Sequence, residues 1–292
     1  MNLTWATVAT FGLLALAICA LWLKPIQLSE RRHIAPCWLA FLAAIAMGCY
    51  GGHITWQAVV GLAIFVFVAH TAATTTHSVL KPLARILTGL LVLALYLHKL
   101  PGFTDATLVQ DLVVSDHAKP FTYRANFGAI STGLVLFAFF CNPIQSTTNW
   151  KVVLRRTFPI AAFTLAIVLG LGMMLGFVAF DWKVTAFTGV FLITNLLFTC
   201  VAEEAFFRGF MQEQLARALS AWRLGAYLAA FIGAVLFGVA HIRGGPALVL
   251  LATISGGCNA YAYLKTKRVE SSILNHYVLN AVHFLAFTYP SL

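Results

Sequence analysis

The chain has 292 residues, 61% of them hydrophobic and only 10% charged, with a formal net charge of +10 and a mean hydropathy of +0.87. That is far more apolar surface than one soluble core hides, so a water-soluble globular fold is excluded and a bilayer is the expected solvent. The basic excess fits anionic lipid headgroups, and no nucleic-acid motif accompanies it.

A membrane span needs about 20 mainly apolar residues. Ten candidate segments run near residues 3 to 23, 34 to 50, 56 to 73, 86 to 98, 127 to 142, 158 to 180, 186 to 207, 224 to 242, 246 to 264 and 271 to 288. Several are short, so the expectation is an all-α, polytopic membrane helix bundle of about eight to ten transmembrane helices. The first segment has no basic residue before it and ends in Leu21-Trp22-Leu23-Lys24, reading as a retained anchor rather than a cleaved signal peptide. Counting connections alternately, fourteen Lys and Arg fall on one side and five on the other. The positive-inside rule then predicts both termini outside the cytoplasm. Two regions are expected: N-terminal helices over residues 1–185, with an ordered outer loop near 99–126, and a core over 186–292. That loop carries three aspartates, and either a cavity-covering or a plain connecting role fits it. Cys19, Cys37, Cys49, Cys141, Cys200 and Cys258 lie scattered in apolar stretches without metal-type spacing and read as small core residues.

Of nine acidic residues, Glu30, Asp105, Asp111, Asp116, Asp181, Glu213 and Glu270 fall in connections or near segment ends. Glu203 and Glu204 instead interrupt an apolar run. Burying adjacent carboxylates costs several kcal/mol unless they are paired or protonated. Arg208 lies four residues past Glu204, within reach on a continuous helix, while Glu203 points roughly 100° away. One carboxylate thus reads as structural and the other as free. The plainer alternative is a helix end at the headgroups, with Arg208 in water.

If this helix runs to about Leu219 and Ser220 to Leu224 turn a hairpin, the next helix returns from about Gly225 to His241. Glu204 and His241 are 37 positions apart, and their midpoint falls inside that turn, which puts Glu203, Glu204 and His241 at similar depth. A satisfied interfacial histidine is the competing reading of His241. In the last segment His276 and Asn280 share one helical face, about 12 Å along the helix from Arg268. Two polar side chains on one stripe could also simply join helices. His283 falls on nearly the same side and suits a packing or interfacial role.

Glu203-Glu204-Ala205-Phe206-Phe207-Arg208, Phe237-Gly238-Val239-Ala240-His241 and His276-Tyr277-Val278-Leu279-Asn280 resemble the ordered motifs EExxxR, FxxxH and HxxxN. These belong to the CAAX-processing endopeptidases and their bacterial relatives, the CPBP intramembrane proteases. The resemblance covers roughly residues 186 to 288 and leaves residues 1–185 without a role.

What the resemblance implies is an intramembrane peptidase. Glu203 would be the general base that activates water, assisted by His241. His276 and Asn280 would stabilise the oxyanion, with Glu204, Arg208 and Phe237 in support. Imidazole and amide donors suit an oxyanion. Glu203, His241 and His276 are also acceptable ligands for zinc or another divalent metal, and the family has been described both as metalloproteases and as glutamate-dependent proteases. The HExxH spacing is absent, which favours no tightly held metal. The implied partner is a membrane-anchored peptide or protein substrate held at the lipid bilayer. A proton-coupled transporter using the same groups as a relay, and a non-catalytic scaffold or immunity protein, are the competing classes.

Overall fold

Alternating apolar runs and short polar breaks give ten helical segments among the described residues, which are 3–29, 32–116 and 118–292 of a computed structural model. Glu30 and Arg31 lie outside them. The helices are α1 (Trp5–Cys19, continued by a 3-10 turn through Trp22), α2 (Pro36–Tyr50), α3 (Trp56–Thr74), α4 (Leu80–Tyr96) and α5 (Phe127–Phe140). They continue with α6 (Thr147–Met174), α7 (Thr188–Ala218), α8 (Gly225–Ala240), α9 (Gly245–Thr266) and α10 (Val269–Ala286). Side-chain caps start three of them: Thr4, Asn126 and Ser146 each accept from a backbone amide three residues on. Pro36 occupies the first turn of α2.

The chain forms two compact units. The first comprises residues 1–109 and 123–145, and the second residues 110–122 and 146–292. In both, large apolar side chains face outward, such as Phe67, Phe158 and Met174, while Thr88, Ser131, Asn259 and Asn275 are buried. That inversion suits a hydrocarbon solvent, where polar groups must find partners inside the bundle. Five helices are long and apolar enough to cross a bilayer, and α2, α5 and α8 are shorter apolar helices. The protein is an integral membrane protein with an all-helical core.

Several boundaries differ from those expected from hydropathy. Helix α6 starts at Thr147 rather than near 158 and runs through Lys151, Arg155, Arg156 and Pro159. Its 28 residues span about 42 Å, more than the ~30 Å hydrocarbon layer. Charges at its start leave the apolar layer without ending the helix. Helix α7 continues past Phe207 to Ala218, in line with the hairpin expected to turn near Ser220. The polar stretch 99–126 contains two paired strands, β3 (Ala106–Leu112) and β4 (Phe121–Ala125), and a smaller antiparallel pair joins β1 (Ile26–Ser29) to β2 (Arg32–Ile34). Glu270, expected in water, is 1% exposed in the first turn of α10. All six cysteines are free, but Cys19 and Cys49 are exposed on outward helix faces rather than in the core.

Within the second unit, residues 110–122 are held against the start of α7 and the chain's end. Phe121 packs on the rings of Phe187, Phe191 and Tyr289. The Lys119 amide donates to the Ser291 carbonyl, and the Tyr289 amide to the Ser115 hydroxyl. This part of the loop is ordered by packing as well as by turn chemistry.

Candidate active site

Helix α7 is not regular where it carries the glutamates. Widened π-helical turns cover Asn195–Cys200 and Ala205–Gln212, and Val201–Glu204 form a single α-helical stretch between them. Such turns shift the phase of the residues beyond them and are frequent at functional sites. The helix ends at Ala218, and α8 returns from Gly225. The ring of Phe207 on α7 meets that of Phe237 on α8, with centroids 5.1 Å apart. That contact puts the Glu203–Glu204 step and His241 each one turn from a shared aromatic pair, the depth relation expected from the hairpin.

Glu204 is fully buried and forms the electrostatic centre. Its Oε2 lies 3.2 Å from Arg208 Nε, and its Oε1 accepts from Arg208 Nη1 at 3.4 Å. The same Oε1 accepts from Asn259 Nδ2 and from His276 Nδ1, both at 2.9 Å. A carboxylate beside a guanidinium is an acceptor only, so His276 Nδ1 carries the proton and its Nε2 faces elsewhere. Arg208, also fully buried, donates through Nη2 to the Gly256 carbonyl at 2.7 Å. Its guanidinium lies 4.8 Å from the Phe237 ring centroid, a cation–π contact worth more once desolvated.

Phe237 connects the motifs: its ring sits 4.8 Å from the His241 ring and 5.5 Å from the His276 ring. His241 caps α8, and its Nδ1 lies 2.8 Å from the Phe237 carbonyl. A carbonyl accepts, so Nδ1 carries a proton, and in the neutral tautomer this leaves the lone pair on Nε2. Glu203 is half-buried, and its Oε2 is shielded from solvent without a hydrogen-bond partner among the described residues. No direct hydrogen bond joins Glu203 to His241 there. Asn280 Nδ2 lies 3.3 Å from Asn195 Oδ1 and 3.9 Å from Cys200 Sγ. His283 Nε2 approaches the Thr288 carbonyl at 3.2 Å, away from this cluster's bonds.

Sequence reasoning missed the buried amides. Asn259 bonds Glu204 through Nδ2 and accepts from Asn275 Nδ2 through Oδ1 at 2.6 Å. The Thr164 hydroxyl lies 3.1 Å from Asn275 Oδ1, so the chain of polar contacts reaches α6. Ser272 Oγ donates to the Asn259 carbonyl at 2.8 Å. Asn195 and Cys200 escaped notice too, although Cys200 Sγ lies 3.3 Å from Asn195 Oδ1. One signal was available: Ser272, His276 and Asn280 recur every four residues on α10, and Asn275 stands one position off that stripe.

Close helix packing makes these contacts reachable. A Cβ built on Gly238 would lie 1.9 Å from Thr253 Oγ1 and 2.8 Å from the Val249 carbonyl. A Cβ on Gly256 would meet Phe237 Cβ at 3.1 Å. Small residues thus let α8 and α9 approach until the Gly256 carbonyl and Asn259 reach the ion pair.

Residues 185–282 match the family model described as type II CAAX prenyl endopeptidase Rce1-like. The match covers 98 of the 292 residues and supports that protease family for this segment. No curated protein and no solved structure matches the chain. The matched segment begins just before α7 and ends within α10, so it contains all three motifs and the whole Glu204 cluster.

Among the described residues, no three His, Cys, Asp or Glu side chains come together as a metal site. His276 Nδ1 is committed to Glu204. A ring whose Nδ1 donates to a carboxylate or a carbonyl still has Nε2 to turn toward a ligand, for His276 and His241 alike.

Proposed function

We propose that the protein is an intramembrane endopeptidase that hydrolyses a peptide bond of a membrane-tethered protein or peptide, with Glu203 as the base. The observation that carries this reading is the division between adjacent carboxylates. Glu204 Oε1 accepts from Arg208, Asn259 and His276 and its Oε2 is ion-paired with Arg208, whereas Glu203 Oε2 is shielded with neither a hydrogen bond nor an ion pair among the described residues. An unsatisfied buried acceptor costs about 1–3 kcal/mol, which is reasonable where the missing donor is the reacting water.

In the reaction, Glu203 accepts a proton as water attacks the scissile carbonyl, and the carbonyl π electrons move onto oxygen. The lone pair at His241 Nε2 is available to orient that water. The tetrahedral oxyanion then needs donors. His276, anchored through Nδ1 to Glu204, offers an Nε2 N–H when its ring carries both protons. Asn280 Nδ2 donates one N–H to Asn195 Oδ1 at 3.3 Å, and its other N–H, whose contact is the 3.9 Å one to Cys200 Sγ, is the one to offer. Collapse of the intermediate expels the amine, which takes the proton back from Glu203.

A substrate already held at the bilayer suits a site built on mid-helix residues. The family includes enzymes that cut after a prenylated cysteine as well as bacterial members acting on other membrane-tethered peptides, so the anchored peptide is the common class. We further propose both termini outside the cytoplasm, from the charge asymmetry, and a bacterial inner-membrane location, from the resemblance to the bacterial members of the family.

The test is cleavage of a lipid-anchored fluorescent peptide in vesicles containing the purified protein, against the same peptide without its anchor. Cleavage of the anchored form by the parent, its loss in Glu203→Gln at unchanged folding, and survival of activity after chelation are expected. Equal activity in Glu203→Gln, or cleavage only of the soluble peptide, would reject the proposal. Loss of activity on chelation with recovery on adding zinc would reject the metal-free route while keeping the peptidase. A variant that keeps an organismal phenotype without cleavage would point to a scaffold, and one that loses ion flux to a transporter.

A further inference from the structure

On the far side of α9 from the Glu204 cluster, α6 and α9 leave an open cavity of about 1150 Å3. Arg155, Arg156 and Lys265 line one part of it, while Phe163, Ile254 and Tyr261 line the rest. No acidic residue contributes to the lining. Arg156 Nη1 donates to the Lys265 carbonyl at 2.9 Å, which ties the basic ends of the two helices together. The Lys265 ammonium lies 5.1 Å from the Tyr261 ring centroid. Among the described residues none of these three cations forms an ion pair.

Depth decides what such a groove meets. From Arg156 to the end of α6 at Met174 the helix rises about 28 Å, close to one hydrocarbon thickness. Arg155 and Arg156 therefore sit at headgroup level when the rest of α6 fills the apolar layer. Lys265 is one residue from the end of α9, at the same level through its contact with Arg156. Phe163 lies about 10 Å deeper, within the acyl region. A cationic mouth above an apolar wall matches an anion with a hydrocarbon tail.

We propose that this groove binds an anionic phospholipid, its phosphate held by Arg155, Arg156 and Lys265 and one acyl chain lying along Phe163 and Ile254. Unpaired cations at the bilayer surface attract acidic lipid, each losing about fivefold in retention when removed. The apolar wall adds selectivity for a tailed ligand over a free anion. The site is separate from the proposed chemistry and stands whether or not the protein is a peptidase.

The experiment uses the full chain in mild detergent, mixed with phosphatidylglycerol or phosphatidylcholine of identical acyl chains, with bound lipid counted by native mass spectrometry. Preferential retention of phosphatidylglycerol is expected, falling about 25-fold in Arg155→Gln/Lys265→Gln. Lys151→Gln, an exposed α6 cation outside the groove, should leave it unchanged. If the double variant fails to fold, Arg155→Gln alone carries the test at about fivefold. Equal retention of both lipids overturns the proposal, as does a phosphatidylglycerol preference untouched by these variants. Full displacement by glycerol phosphate, which has no acyl chain, would reduce the groove to a simple anion site and also overturn it.

Discussion

Arg208→Met removes a buried cation while nearly preserving side-chain length. Arg208 and Glu204 are both fully buried, so the substitution strands a carboxylate inside the bundle. Asn259 and His276 still donate to its Oε1, but the compensating charge is gone. Breaking a buried pair by removing one partner costs about 3–5 kcal/mol. The Gly256 carbonyl loses its 2.7 Å donor as well, a further penalty of about 1–3 kcal/mol if nothing replaces it. These terms overlap, so a loss of about 4 kcal/mol is expected. Glu204→Gln/Arg208→Met removes both charges together and should recover most of it, because an uncharged pair of similar volume is often nearly neutral. The assay is the unfolding free energy in mixed micelles, titrated with a denaturing detergent, for both single variants and the double. Strong non-additivity is the signature. A cost below about 1 kcal/mol for Arg208→Met, or a double variant as unstable as the two singles combined, would show that the pair is not desolvated as described.

Asn259→Leu should lower stability by about 1–3 kcal/mol in the same titration, because both Glu204 Oε1 and Asn275 Nδ2 lose a partner. Gly238→Ala should cost about 1–3 kcal/mol by forcing α8 and α9 apart. Gly233→Ala, whose Cβ would find only Met211 Cε at 3.9 Å, should be close to neutral. Outside the spans, the Ser115 hydroxyl beside Asp181, with Lys183 nearby, holds the Asp181 carboxyl below its usual 3.8. The folded form therefore binds that proton less readily than the unfolded form. The resulting stability is present above pH 3.8 and is lost as pH falls through the lower folded value. Acid-unfolding curves of Asp181→Asn should be flatter in that window than those of the parent, and Ser115→Ala should act in the same direction.

The sequence by itself determined the solvent, the all-helical class and three motif positions. Apolar length sets whether a segment can cross a bilayer, and that property is additive along the chain. Charges in a span are costly enough that Glu203 and Glu204 stood out among nine acidic residues. Spacing of 37 positions across a hairpin was enough to put Glu204 and His241 at one depth. Helix ends were less legible, since α6 carries Lys151, Arg155 and Arg156 beyond the apolar layer without interrupting its backbone hydrogen bonds.

Only the tertiary structure decided which donors Glu204 receives. Asn259 is one polar residue in a mostly apolar helix, and its importance comes from α9 lying close against α8 at Gly238 and Gly256. The pairing of His276 with Glu204, rather than with Glu203, depends on the phase of α7 across its widened turns. Hydrogen bonds act over about 3 Å and demand direction. Periodicity places a residue on a face to within a turn, which is coarser than the distance over which these bonds choose their partners.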